Sequence, residues 1–162
     1  MSAPQIVIPV VRERSADAIT PVAAFEALSP TSEAFLFESV ERGENIGRYS
    51  FIGFEPRRTL RIGRDTPDPI RILNEELAPL RVAGGGDLPP FFGGAVGFFG
   101  YGAAGWTERI PDTNRDDLQV PDAILLFFDN VVVFDHVRQR LFVIASVLGD
   151  DERADTSGAW GR

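Results

Sequence analysis

The sequence predicts an α+β fold: a mostly antiparallel, sandwich-like β-sheet with two or three packed helices. Three observations lead there. Short runs rich in Val, Ile, Leu and Phe follow one another with turn residues between them, the pattern of consecutive strands. Two segments open on a capping residue followed by proline and then repeat apolar residues at helical spacing. The chain has 162 residues, 44% of them hydrophobic and 25% charged, which is enough for one domain with a core.

Ile6 to Val11 reads as a short strand or extended arm. Thr20 and Pro21 set up a helix, with threonine as N-cap and proline at the first helical position, where its missing N–H is not needed. Val22, Phe25 and Leu28 recur near helical spacing. Ser29-Pro30 ends the helix, because proline disfavours helical backbone in the residue before it. Ala34 to Val40 is a strand with Phe35, Phe37 and Ser39 on one face and Ala34, Leu36, Glu38 and Val40 on the other. Both faces are mostly apolar, so cover is expected on both sides. Glu41 to Gly47 is a polar loop, Tyr49 to Phe54 the hairpin partner, and Thr59 to Ile62 a shorter strand.

Asp68-Pro69 opens a second helix by the same cap logic. Ile70, Leu73, Leu77 and Leu80 form its apolar stripe, and Pro79 limits its last turn. Gly84 to Pro90 is a flexible turn or linker. Phe91 to Tyr101 is apolar and glycine-rich, which suggests close backbone approach inside a packed sheet. Ala103 to Ile110 is a short helix candidate. Ala123 to Phe128, Val131 to Asp135 and Leu141 to Val147 are three further strands, the last two joined by a hairpin at Arg138-Gln139. Residues 1–148 make up the domain, and residues 149–162 read as a loose polar tail.

Composition excludes several classes of function. The formal net charge of −8 argues against a nucleic-acid partner, which wants a basic face, and against an anionic membrane surface. All sixteen basic residues are arginine, so there is no Schiff-base or phosphate-binding lysine. With no cysteine, disulfides and thiolate metal sites are excluded. No secretory signal is visible and no apolar run is long enough to cross a bilayer, so a cytoplasmic location is expected.

Most candidate motifs have an ordinary reading. The glycines of Gly93 to Gly102 lie inside an apolar run with no amphipathic helix after it, unlike a dinucleotide-binding loop. His136, the only histidine, reads as a polar residue at a strand end. Asp116-Asp117 and Asp150-Asp151-Glu152 read as solvated loop acids. Ser146 and Ser157 lack a nucleophile elbow. No catalytic residue and no metal ligand is assigned.

One cluster stands apart: Leu36-Phe37-Glu38-Ser39, followed by Gly47-Arg48-Tyr49-Ser50-Phe51-Ile52-Gly53. A buried hydroxyl without a partner costs about 1–3 kcal/mol, and a carboxylate on a covered strand is rare unless paired. Spacing leaves two readings open. In one, Glu38 and Arg48 form an internal ion pair and Ser39 bonds to backbone. In the other, carboxylate and hydroxyl take the ammonium of a zwitterion while flanking apolar groups take its aromatic body.

The same residues resemble a known family. Phe37-Glu38-Ser39-Val40-Glu41-Arg42-Gly43 and Gly47 to Gly53 are similar to the leucine–leucine–glutamate–serine segment and the following arginine–tyrosine–serine strand of anthranilate synthase component I. Thr20-Pro21-Val22, Pro89-Pro90-Phe91 through Gly94-Ala95-Val96-Gly97 to Gly100-Tyr101, Pro121-Asp122-Ala123 and Val131 to His136 extend the resemblance, in order, to about Ala145.

The resemblance implies the amino-terminal, tryptophan-sensing domain of a lyase that makes anthranilate and pyruvate from chorismate. In the complete enzyme magnesium sits in the active site and a glutamine amidotransferase subunit supplies ammonia. By resemblance, Ser39 would bind the inhibitor, Glu38 would meet its ammonium, and Phe37, Arg48 and Tyr49 would line the pocket. The family has leucine where Phe37 stands and aspartate where Gly102 stands. Catalytic and magnesium-binding residues belong to the chorismate-binding domain, for which no counterpart appears in this chain. The related aminodeoxychorismate synthase of folate synthesis and a stand-alone, non-catalytic binding or assembly module are the alternatives.

Overall fold

A computed structural model of the chain describes residues 5–28, 33–38, 47–77, 80–83, 87–111 and 115–149. In chain order these form β1 (Gln5–Ser15), α1 (Pro21–Leu28), β2 (Ala34–Phe37), β3 (Tyr49–Phe54), β4 (Arg58–Ile62), α2 (Pro69–Leu77), β5 (Leu80–Val82), β6 (Gly94–Phe99), a 3-10 helix (Tyr101–Trp106), β7 (Ala123–Phe128), β8 (Asn130–Asp135) and β9 (Arg140–Gly149). Among the described residues there are two sheets, in the order β2-β3-β8-β9-β1-β5 and β4-β7-β6. All pairs are antiparallel except β1 with β5. The α+β expectation and the antiparallel, sandwich-like arrangement both hold.

The helix starts follow their cap residues. The N–H of Ala23 donates to Thr20 Oγ1 at 3.2 Å, and the N–H of Arg71 donates to Asp68 Oδ1 at 3.1 Å. Each satisfies one of the orphan donors of a first turn. Thr20→Ala should therefore lower stability by about 1 kcal/mol, read as a shift of the urea midpoint at unchanged slope.

Two apolar layers flank the larger sheet. On one face Phe35, Tyr49, Phe51, Val131, Val133, Phe142 and Ile144 meet Val96, Leu126 and Phe128 of the smaller sheet, with Phe91 and Phe92 closing the layer. On the other face Leu36, Ile52, Phe54, Val132, Phe134, Leu141 and Val143 pack under Ala24, Phe25 and Leu28 of α1. The alternation expected for β2 is realised, since Phe35 and Leu36 enter opposite layers.

Several boundaries differ from the sequence expectation, four of them with a visible cause or consequence. β1 runs on to Ser15, because β9 pairs with it from Ile6↔Gly149 to Ser15↔Arg140 and supplies ladder bonds that its polar end does not advertise. The same pairing takes Gly149 out of the expected tail. Leu80 begins β5 rather than finishing the stripe of α2, which stops at Leu77. The short helix begins at Tyr101 and is a 3-10 helix, donating Ala103 N–H to Gly100 O at 3.1 Å. Ser29-Pro30, the end of the Ala34 to Val40 run, most of the Glu41 to Gly47 loop and residues 150–162 lie outside the described residues.

β7 and β8 are nearly continuous yet belong to different sheets, and Asp129 sits at the switch between them. Its carbonyl accepts the Ser146 N–H at 2.7 Å and its carboxylate accepts from Arg57 Nε at 3.1 Å. Burial pushes the Asp129 carboxyl above the usual range, with Arg57 opposing but not cancelling it.

Candidate functional site

The site assembles where three strands of the larger sheet end together. β2 closes on Phe37, paired with Phe51 of β3, and β3 begins at Tyr49, paired with Asp135 at the end of β8. The Arg48 guanidinium grips Asp135 with two bonds, Nε to Oδ1 at 3.1 Å and Nη2 to Oδ2 at 2.7 Å. Asp135 Oδ1 also accepts the N–H groups of Val137 at 3.2 Å and Arg138 at 3.1 Å, so one carboxylate ties β3 to the β8–β9 turn. Burial alone would raise the Asp135 carboxyl, but the bonds from Arg48, Arg138 and Val137 outweigh it and hold the group below the usual carboxylate range. The hydrogen bond to Asp135 raises the Arg48 guanidinium in turn.

Arg48 also lies over the Tyr49 ring, its Cζ 4.8 Å from the centroid. Tyr49 and Phe51 rings stand 5.9 Å apart, and Phe35 and Phe37 rings 4.9 Å. These aromatics run along the rim of the inter-sheet layer. Phe37 is 54% exposed there, and Glu38, the next residue, is exposed as well. On the opposite face the buried Ser50 hydroxyl meets His136 Nε2 at 2.7 Å, while the His136 N–H donates to Arg48 O at 2.9 Å.

The internal Glu38–Arg48 pair is corrected: the partner of Arg48 is Asp135, 87 residues away, because β3 pairs with β8 as well as β2. Strand cover also stops short of Glu38, since β2 ends at Phe37. Phe37, Glu38, Arg48 and Tyr49 all lie at this end of the sheet, whereas Ser39 falls outside the described residues. Reasoning from sequence missed Asp135, the group that fixes Arg48. Its only signal was an acid directly after a run of buried strand residues. His136 does stand exposed at a strand end, with the added role of satisfying Ser50.

Among the described residues no three His, Cys, Asp or Glu side chains gather to hold a metal ion. The described donors at this site are one carboxylate already bound to a guanidinium and one exposed glutamate, which do not fit a magnesium centre. No described helix is long and apolar enough to cross a membrane.

Comparison with known proteins decides the family. No protein-family profile matches the chain. Anthranilate synthase component 1 of Acetivibrio thermocellus is 35% identical over 164 residues, which is 91% of this chain and 33% of that protein. The same component of Thermus thermophilus is 39% identical, with 90% of this chain and 33% of that protein covered. The component from Mycobacterium tuberculosis is 36% identical, covering 96% and 34%. This chain is a relative of anthranilate synthase component I.

It spans about a third of the length of the curated relatives it matches. The fold agrees: the crystal structure of anthranilate synthase component I from Streptococcus pneumoniae superposes with a TM-score of 0.56 at 25% identity, over 87% of this chain and 32% of that one. A Cβ at Gly102 would overlap the Asp122 carboxylate, so any larger residue there would require Asp122 to move.

Proposed function

We propose that this chain is the amino-terminal, tryptophan-sensing part of an anthranilate synthase component I in tryptophan biosynthesis. The observation that carries this reading is the strand-end cluster. A guanidinium fixed by Asp135 and stacked on Tyr49 stands beside a strand that delivers an exposed aromatic, Phe37, and an exposed carboxylate, Glu38. A ring platform, an acid and an oriented cation complement the ring, ammonium and carboxylate of an aromatic amino acid. The kinship with component I supports the choice of tryptophan. Ser39 would add a hydroxyl for the ammonium, and the open face of the cluster would be completed by the chorismate-using part of the enzyme.

Regulation would then be linkage. Tryptophan favours one arrangement of the two parts, and that arrangement uses chorismate poorly. The completed enzyme would release pyruvate and anthranilate with ammonia from a glutamine amidotransferase partner, and would carry its magnesium outside this segment.

The test is made in a component I chain completed after this segment. Ser39→Ala should raise the tryptophan concentration for half inhibition about tenfold or more, in keeping with a coupling of 1–3 kcal/mol, with turnover in the absence of tryptophan unchanged. Equal inhibition of the variant and the parent would remove the site from this cluster.

A further inference from the structure

Ser50 is fully buried on the face of β3 that packs under α1. The positions around it on that face, Ile52 and Phe54 of β3 and Val132 and Phe134 of β8, are all apolar. Ser50 pairs in register with Phe134 itself. A hydroxyl in such a layer adds no apolar contact. An alanine in its place would cost little, because the group left behind, His136, is exposed and can turn to water.

What the hydroxyl contributes is direction. It shares a hydrogen bond of 2.7 Å with His136 Nε2, and the imidazole lies nearly parallel to the Phe134 ring, 16° between planes and 6.3 Å between centroids. A hydrogen bond restricts distance and angle in a way that apolar contact does not, and a satisfied buried polar group makes its surroundings rigid. His136 is the first residue past β8, where the chain leaves the ladder for the turn to β9. Its N–H donates to Arg48 O at 2.9 Å, while Asp135, one residue earlier, takes the Arg48 guanidinium with both oxygens. Asp135-His136 thus holds both ends of Arg48-Tyr49-Ser50: the carbonyl and side chain of Arg48 at one end and the Ser50 hydroxyl at the other. Tyr49, between them, pairs with Asp135 and has Arg48 over its ring.

We propose that Ser50 and His136 are positioning residues for the amino-acid site. Their bond, made on the face of the sheet turned away from the cluster, sets where Arg48 and Tyr49 stand in it, and so tunes the sensitivity of the enzyme to tryptophan without touching the ligand. This rests on the reading of the strand-end cluster as the tryptophan site.

The test has two readouts. In this chain, Ser50→Ala and His136→Leu should make the Arg48 Nε–H exchange with solvent at least about tenfold faster by nuclear magnetic resonance, with the backbone amides of residues 131–133 unchanged. In the same chain fused to the remainder of the Thermus thermophilus relative, both variants should raise the tryptophan concentration for half inhibition about fivefold, the lower end of ordinary coupling between sites, each referred to its own uninhibited rate. His136→Gln, whose amide reaches about as far as imidazole Nε2, should restore both values, and the shorter His136→Asn should restore neither. Unchanged exchange at Arg48 overturns the proposal. So does equal acceleration at residues 131–133, which would mean general loosening, and so does equal rescue by Asn and Gln, which would remove the Nε2 bond from the account. Ser39→Ala in the same fusion separates this idea from the one beneath it. If that variant loses inhibition while Ser50→Ala and His136→Leu keep it, the positioning role is rejected and the sensing site stands. If none of the three alters inhibition, the sensing site is rejected as well.

Discussion

Asp135→Ala should cost the domain about 3 kcal/mol, toward the lower end of what breaking a buried charge pair costs. The carboxylate is nearly sealed from solvent and accepts four bonds, from Arg48 twice and from the Val137 and Arg138 N–H groups. Arg48 retains some contact with water, which keeps the loss below the upper end. By contrast, Arg71–Glu75 and Arg138–Asp87 are exposed at both partners, and such pairs contribute roughly 0–1 kcal/mol. Urea unfolding at pH 7 measures the difference.

The pH dependence has a definite sign. Asp135 has a folded-state pKa below its unfolded value. Its contribution is therefore present above the unfolded value of about 3.9 and is lost as pH falls through the lower, folded one. The gap between parent and Asp135→Ala should narrow from pH 4 downward, on the order of the ordinary aspartate range. A gap of constant size down to acid pH would mean that the charge contributes nothing. Asp129 runs the opposite way. Its raised carboxyl favours the folded state at low pH, and that contribution fades as pH rises through the raised value. Because Asp135 also orients Arg48, the same variant in a completed enzyme should blunt inhibition by tryptophan.

Gly97→Ala is the second large effect, expected to destabilise by about 3 kcal/mol, the upper end of what overpacking costs. Gly97 pairs with Leu125, and the β6 backbone lies so close to β7 that an added Cβ would overlap the Ile124 carbonyl oxygen. The same Cβ would sit 2.8 Å from Ile124 C and 3.0 Å from Leu125 Cα. All three are backbone atoms, so no side chain can turn aside and the strands must part. Gly105 is the control: nothing lies within 4 Å of its Cβ position, and Gly105→Ala should change stability by less than about 0.5 kcal/mol. Differential scanning calorimetry on the two variants separates the steric effect from a general glycine effect.

Much of the architecture is legible in the sequence alone. Thr20-Pro21 and Asp68-Pro69 placed both helix starts, and the cap bonds are there. Runs of Val, Ile, Leu and Phe located β7, β8 and β9, because strand burial leaves a signal in consecutive residues. The glycine-rich run does make a close backbone approach, Gly97 against Ile124, yet Phe98 and Phe99 at its end are exposed. Periodicity reports which residues are apolar but not whether anything covers them.

What the sequence by itself determined is local and compositional: the fold class, the helix starts, the strand segments, the absence of lysine and cysteine, and the proximity of Phe37, Glu38, Arg48 and Tyr49 through the pairing of two successive strands. Only the tertiary structure decided that Arg48 belongs to Asp135, that Ser50 is satisfied by His136, and that one nearly continuous run, Ala123 to Asp135, serves two different sheets. The physical reason is that hydrogen-bond ladders join strands without regard to their distance along the chain. Two side chains 87 residues apart become neighbours when their strands pair, and no local pattern encodes which strands will do so.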